Sequence, residues 1–358
     1  MHITWIIPGA IQKREDGRLF SPMASVRYRV LYVAEHLAAQ GHRVDIIQAG
    51  LPADAAEIES PLGADVLIVS KGLFDGSVAL AERARKIGGR LLLDLCDDHF
   101  GTPFRDTYFS LCSLADCVVA STPMMARVIA ERTGCHAEVI GDPFEAPPGE
   151  PRFQPAERVR LLWFGHPTNF DTLFAMMPSL VEFSRERSAE LHVVSTNMSN
   201  ILGALAQVSR KHEPRLSTHF TAWSPDATWQ ALHACDAVLI PSLPGDSKLV
   251  KSPNRIIESI RRGRFVSAFP LPSYQPFANY AWLGDNVLDG IRWAIIHPRE
   301  AETRMQAGQA VVEKEFAPTR LARQWETLIM HYAASRAASD ARPLRARSLS
   351  GSMASARS

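Results

Sequence analysis

Residues 237–274 read AVLIPSLPGDSKLVKSPNRIIESIRRGRFVSAFPLPSY, and this stretch decides how the chain folds. The apolar run at 237–240 stops at Pro241, as a buried strand should. A polar loop follows, with Pro244, Gly245, Asp246 and Ser247 beside Lys248 and Lys251. Ser252-Pro253-Asn254 predicts a helix start, with Ser252 as N-cap and Pro253 at the first helical position. Ile256, Ile257 and Ile260 then share one helical face. Gly263 predicts the stop, and 265–269 the next strand. The unit is strand–loop–helix–strand, and its loop carries cations beside a helix N-terminus. Free backbone N–H groups and the helix dipole favour an anion there, such as a diphosphate. Glu258, one turn into the helix, is placed to reach the hydroxyls of a ribose attached to that diphosphate.

The same alternation runs outward in both directions. Strands are expected at 3–7, 44–48, 64–70, 90–95, 115–120 and 137–140, with helices over 26–40, 77–87 and 123–132 and a polar loop before the first helix. Further on, strands at 160–165, 190–195 and 217–221 alternate with helices over 172–187, 200–211 and 225–234. Helices over 277–282, 287–296, 301–316 and 319–335 complete the pattern. Continuous apolar strands between helices of this kind indicate parallel βαβ units. The expected fold class is α/β, with two doubly wound Rossmann-like domains facing a cleft. Residues 1–142 form the first domain, the proline-rich 143–155 a linker and 156–316 the second domain. A last helix over 317–336 and a disordered, Ser-, Ala- and Arg-rich tail over 337–358 follow.

With 358 residues, 46% hydrophobic and 22% charged, each half can bury a core. A net charge of +1 argues against a nucleic-acid binder working by bulk electrostatics. Cys96, Cys112, Cys117, Cys135 and Cys235 form no CxxC pair and no metal-ligand ladder, which suits reduced thiols in a cytoplasmic protein. The opening MHITWIIPGA lacks a basic leader and meets Pro-Gly, so it reads as a first strand rather than a signal peptide. No apolar run approaches the ~20 residues that span a bilayer, so no transmembrane segment is expected. GxGxxG is missing after the first strand and GxSxG is missing throughout, which argues against an ordinary dinucleotide site and a nucleophile elbow.

Two further groups stand out. Asp97-Asp98-His99 follow the apolar 91–95, at the carboxyl end of a strand, where ligand crevices form in open α/β sheets. A carboxylate and an imidazole there suit acceptor positioning or proton handling. Adjacent residues on one loop seldom supply a full metal-ligand set, and no metal is expected. Arg27 and Arg29 flank Tyr28 at the start of the first long helix, where positive charge opposes the dipole; use in the cleft would explain them. Each reading has a plainer rival: Lys251 as a solvated loop lysine, and Glu258 as the helical ion-pair partner of Arg261 and Arg262.

KSPNRIIESIRRGRFVS, residues 251–267, resembles the donor-site segment of retaining glycosyltransferases of the family-four type (glycosyl transferases group 1), which have the GT-B fold. ADCVVASTPMMARVIA (115–130) is similar to the segment closing their first domain, and SVRYRVLYVAEHLAAQGHRVDII (25–47) to their first helix and second strand. LLWFGHPTNF (161–170) stands where the second domain's opening strand and phosphate loop would be. The resemblance spans about residues 1–335. It implies a nucleoside diphosphate sugar as co-substrate, with no cofactor and no metal. Glu258 matches the ribose-binding glutamate, and Gly165 the glycine that lets the phosphate loop approach the donor. Lys251 matches a basic residue at the donor phosphates, with Ser252, Asn254 and Arg255 supplying further contacts in the implied donor site. Lys248 and His166 join it on their own placement, Lys248 as a loop cation and His166 as the residue after the strand that ends at Gly165. Lys251 is the catalytic cation that the resemblance implies; by the loop and helix-start readings above, Asp98 and His99 are the further catalytic candidates and Arg27, Arg29 and Asp97 the acceptor-side ones. The last helix would cross back to brace the first domain.

Transfer would proceed with retention, the leaving diphosphate's own oxygen helping to deprotonate the acceptor hydroxyl. The acceptor would be a glycan, a lipid-linked group or a protein. The protein would sit in the cytoplasm, with contact at the inner face of the membrane allowed. Two departures stand out: Val250 occupies the place of the motif's first glutamate, and His166-Pro167-Thr168-Asn169 replace the usual Arg and Lys. They keep two alternatives open, a non-catalytic nucleotide-sugar-binding protein and a nucleotide-sugar epimerase or hydrolase of the same fold.

Overall fold

The computed structural model describes residues 1–49, 63–196, 199–243 and 245–340. Among them, strands β1 (His2–Ile7), β2 (Arg43–Gln48), β3 (Val66–Ser70), β4 (Arg90–Leu95), β5 (Cys117–Ala120) and β6 (Ala137–Val139) form one six-stranded sheet. Its order is β2-β1-β3-β4-β5-β6 and every pairing is parallel. The reason lies in the side chains, because a strand covered on both faces must be apolar throughout. Ile3, Trp5 and Ile7 pack on one face with Val30, Val33 and Leu37. Ile6, Leu67, Val69, Leu91 and Leu93 pack on the other with Leu80, Leu111 and Ile129.

The second sheet, again among the described residues, contains β7 (Val159–Phe164), β8 (Ala189–Ser195), β9 (Leu216–Ala222), β10 (Ala237–Ile240), β11 (Phe265–Ala268) and β12 (Trp282–Leu283). Its order is β9-β8-β7-β10-β11-β12, all parallel. In each sheet the order reverses at one place, between β1 and β3 and between β7 and β10. Such switch points open a crevice beyond the carboxyl ends of the strands. Asp97 and Thr122, in the loops after β4 and β5, touch Lys251 and Val250, in the connection after β10, so the two sets of carboxyl ends face each other.

The last helix, Pro318–Asp340, lays Leu321, Trp325 and Ile329 into the first half's core, with the Trp5 and Trp325 rings 5.1 Å apart. The disorder expected from residue 337 meets helix up to Asp340; residues 341–358 lie outside the described residues. Residues 143–155 are irregular but anchored: Phe144 and Phe153 are buried in core clusters of the second half. Gly263 closes the helix Asn254–Arg261 with φ +65, and a Cβ there would lie 2.5 Å from the Glu150 backbone. Only glycine tolerates both demands.

Several local expectations change. The helix expected over 26–40 starts at Ala24 and contains a π-helical turn, Arg27–Leu31. A small hairpin, Gln12–Lys13 with Leu19–Phe20, forms in the expected loop. Arg105–Leu114 is a helix that the sequence reading passed over; its buried residues Tyr108, Leu111 and Cys112 follow helical spacing, but Thr, Ser and Cys weaken its propensity. The helix expected over 277–282 is replaced by a 3-10 segment, Pro272–Phe277, and by β12. Its prolines interrupt α-helical hydrogen bonding, and Trp282 pairs with the sheet instead.

Candidate functional site

At the second sheet's switch point, β7 runs out at Phe164 into Gly165. A Cβ on Gly165 would come within 3.4 Å of Trp163 and 3.6 Å of Arg255 Nη1. His166, exposed, accepts from the Thr168 N–H at 3.3 Å and so caps the 3-10 turn Pro167–Asn169. Across from this turn, Lys248 Nζ donates to Asn169 Oδ1 at 2.6 Å. Burial depresses the Lys248 ammonium, Asp171 opposes that shift, and the positive charges of Lys251 and Arg255 add to it. Three cations therefore gather around one loop. Arg255 Nη1 is buried with no hydrogen-bond partner among the described residues. A buried guanidinium nitrogen without a partner is costly in a protein that offers nothing to meet it, and an anion at Gly165 would meet it.

The helix start differs from expectation. Pro253, not Ser252, is the N-cap residue, and no side chain caps the helix. Ser252 Oγ donates to Asn254 Oδ1 instead. The first-turn N–H groups thus carry no side-chain cap, which keeps them available to a ligand.

Glu258 is 5% exposed and fully engaged inside the protein. Oε1 accepts from the Glu145 N–H at 2.7 Å and from the Tyr28 hydroxyl at 3.2 Å, while Oε2 accepts from the Ala146 N–H at 2.7 Å. Burial, and then the charge of Glu145, push its pKa up to about 7. Its rival partners are elsewhere: Arg261 pairs with Glu313, and Arg262 donates to the Pro147 and Pro148 carbonyls. The carboxylate expected at a ribose is here a clasp on the linker.

Arg27 and Arg29 are likewise internal. Arg29 is 1% exposed; its Nε donates to Asp94 Oδ1 at 2.8 Å, and its Nη1 to Asp142 Oδ1 at 2.9 Å and the Ile140 carbonyl at 2.7 Å. Two carboxylates at a buried guanidinium offset the cost of removing it from water. Arg27 Nε lies 3.0 Å from both Glu145 oxygens, and its guanidinium sits 5.0 Å from the Trp223 ring of the second half. Both arginines brace the body of the protein rather than lining an open face. The charge opposed to the helix dipole, which drew attention to them, is explained by these buried partners.

Past β4, Asp97 is the meeting point of the halves. Its Oδ1 accepts from Lys251 Nζ at 2.6 Å and its Oδ2 from Lys71 Nζ at 2.7 Å. Burial alone would raise its pKa, but Lys71 and then Lys251 hold it well below the ordinary carboxylate range. Asp98 Oδ1 accepts from the Phe100 N–H at 2.9 Å and so shapes the loop. His99 packs edge-on against Tyr108, and burial is the largest cause of its lowered pKa, which favours the neutral imidazole. Next to this loop, Thr122 Oγ1 donates to the Val250 carbonyl at 3.0 Å. Val250 itself is fully buried in the first half's core with Leu95, Phe100 and Leu111. The position of the missing glutamate is thus an apolar plug. The sequence reading missed Lys71; an apolar strand ending in Lys-Gly, residues 71–72, was the available signal. Among the described residues no group of three or more His, Cys, Asp or Glu is placed to hold a metal ion.

No protein-family model matches the sequence, and no curated protein matches it either. Solved structures do. HepE from Anabaena in complex with UDP superposes with a TM-score of 0.65 at 14% identity, over 92% of this chain and 100% of that one. HepE with UDP-glucose gives 0.63 at 14%, over 94% and 100%. A glycosyltransferase from Rickettsia africae gives 0.68 at 13%, over 92% and 98%. At such identities the likeness is one of fold. Together with two six-stranded parallel sheets whose carboxyl ends meet, it establishes that this chain has the GT-B fold of glycosyltransferases.

Proposed function

We propose that the chain transfers a sugar from a nucleoside diphosphate sugar to an acceptor hydroxyl, with the donor diphosphate lying between Gly165 and the start of the helix Asn254–Arg261. The observation that carries this reading is the gathering of Lys248, Lys251 and Arg255 at the switch point, with Arg255 Nη1 buried and unpartnered. UDP and UDP-glucose bound to the similar HepE support it. Cations fixed beside uncapped helix N–H groups stabilise a departing diphosphate without reorganising, so the reaction is read as metal-independent. The resemblance of 251–267 supports retention, with the diphosphate oxygen and neutral His99 as the groups able to take the acceptor proton. The acceptor is assigned to the first domain, residues 1–142, and the donor to 156–316, in a cytoplasmic enzyme. Ribose binding by Glu258 requires that the Glu145 and Ala146 amides release its carboxylate, so donor entry would move the linker.

A second reading, a binding protein without turnover, draws on the same residues: Glu258 is already occupied and Val250 is a plug. Calorimetric titration with UDP, GDP, ADP and TDP, followed by assay of nucleotide release from the matching sugar donors, separates the two. Failure of every nucleotide to bind would sink both. Binding that Arg255→Ala and Lys248→Ala leave unchanged would remove the donor site from this loop. Tight binding without turnover on glycan, lipid-linked or protein acceptors would favour the second reading.

A further inference from the structure

One carboxylate between the two halves, Asp97, serves two ammonium groups from opposite sides. Lys71 follows β3 at the first sheet's switch point, and Lys251 follows β10 at the second. Among the described residues Lys71 is the one non-glycine with positive φ, at +62. A left-handed conformation is strained for a lysine and persists only when its surroundings impose it. Here they do. The Lys71 N–H donates to the Asp94 carbonyl at 2.8 Å, and the Gly72 N–H to the Ser70 carbonyl at 2.8 Å. Gly72 is held at φ +64 so close to Leu111 that a Cβ would lie 2.2 Å from its Cδ1. The core therefore dictates the turn, and the turn directs Lys71 past the end of β4 onto Asp97.

The three side chains differ in their access to water. Lys71 is 15% exposed and Asp97 21%, while Lys251 is 45% exposed. Lys251 is the member able to leave. Two ammonium groups and one carboxylate sum to one positive charge, and a diphosphate drawn to Lys251 must compete with Asp97 for it. If Lys251 were Asp97's sole partner, its departure would strand a half-buried carboxylate, which is costly. Lys71 removes that cost by remaining in place. We infer that Lys71 is a positioning residue of the donor site, acting through Asp97 to set how readily Lys251 is released, and that Asp97 is the internal competitor a donor diphosphate displaces. The inference rests on the donor reading above and adds to it a residue from the first half.

The test is calorimetric titration of the full chain with UDP, with GDP, ADP and TDP run alongside, on wild type, Asp97→Asn, Lys71→Met, Lys71→Arg and the double variant. Asp97→Asn frees Lys251 and should tighten binding about tenfold, equivalent to about 1.4 kcal/mol. Lys71→Met leaves Asp97 with Lys251 alone and should weaken binding about tenfold. In the double variant Lys71 has nothing to act through, so affinity should stay within about threefold of Asp97→Asn. Lys71→Arg keeps a cation on Asp97 and should restore most of the loss, which a merely structural role would not produce. If wild type binds and the two single variants shift affinity in the same direction, or add independently, or change nothing, the inference fails while the donor reading stands. If wild type binds none of the four nucleotides, the donor reading fails and takes this inference with it. Should Lys71→Met not fold, Asp97→Asn decides alone: binding no tighter than wild type overturns the inference.

Discussion

Glu258→Gln probes the joint between the halves, and its effect should change sign with pH. The wild-type carboxylate is 5% exposed and accepts from two linker amides and the Tyr28 hydroxyl. Burial, then repulsion from Glu145, raise its pKa from 4.5 to about 7. In the unfolded chain the group ionises near 4.5, in the native state near 7. Between these values the native state holds an extra proton, so stability falls as pH rises. The contribution is full below about pH 4.5 and lost as pH passes through about 7. At 1.36 kcal/mol per unit the shift corresponds to about 3 kcal/mol. Glutamine cannot ionise, and its amide sets an NH2 against one of the linker N–H groups, a loss of about 1–3 kcal/mol. At pH 5 the variant should therefore be less stable than wild type by that amount. By pH 8 the gap should have closed by about 3 kcal/mol, leaving the variant level or ahead. Urea unfolding of both proteins from pH 5 to pH 8 measures this, because groups that titrate equally in both cancel in the difference. A gap independent of pH would refute the assignment of the titration to Glu258, and a gap widening with pH would refute its sign.

Tyr28→Phe removes a donor that lowers the Glu258 pKa, so the pH region of stability loss should move upward in the same unfolding series; an unmoved midpoint would count against the hydroxyl contact. Arg255→Ala should weaken binding of whichever of UDP, GDP, ADP and TDP the wild type takes about tenfold by calorimetry while changing stability by less than about 1 kcal/mol, since Nη1 has no internal partner to lose among the described residues. Val250→Glu should cost more than about 3 kcal/mol in chemical unfolding, through lost apolar burial and a carboxylate placed in the core; wild-type stability would show that the plug is not there. Gly263→Ala combines an unfavourable φ with a close approach to Glu150 and should lower stability by about 2 kcal/mol or more, read from its melting temperature.

What could be read in advance depended on how local its cause was. The strand at 237–240, the isoleucine face of the helix and its stop at Gly263 are each set by residues within one turn of each other, and the structure has them where they were expected. The gathering of Lys248, Lys251 and Arg255 was legible for the same reason. The helix cap was not, because Ser252 had a competing partner in Asn254. Arg29 shows the limit more sharply. Its charge near a helix start looked like a functional surplus, yet its counter-charges are Asp94 and Asp142, brought to it by β4 and by the residue just before the linker. Val250 read as a lost glutamate; that it fills the other half's core is a tertiary fact with no local trace. Lys71 at the end of an apolar strand was a local signal, but its partner Asp97 is supplied by the next strand's loop, and that pairing is tertiary.

The segment that reads as a donor site is also the joint of the molecule, and the two roles share side chains of one short stretch. Val250 fills the first half's core and its carbonyl accepts from Thr122; Lys251 binds Asp97; Glu258 holds the linker. Ile256, Ile257 and Ile260 tie the same helix to the second half. A diphosphate that draws Lys251 from Asp97, or a ribose that draws Glu258 from the Glu145 and Ala146 amides, weakens a contact that holds the halves together. Hydrogen bonds to charged groups are worth about 1.5–3 kcal/mol each, the same size as a typical coupling between two sites. Linkage is reciprocal, so a substitution that removes a contact the donor has to break, without touching the donor, should raise donor affinity by up to the factor that contact was worth. Tyr28→Phe, which lies on the first half and weakens only the clasp, is the cleanest case: it should lower stability and tighten binding of the proposed nucleoside diphosphate donor together.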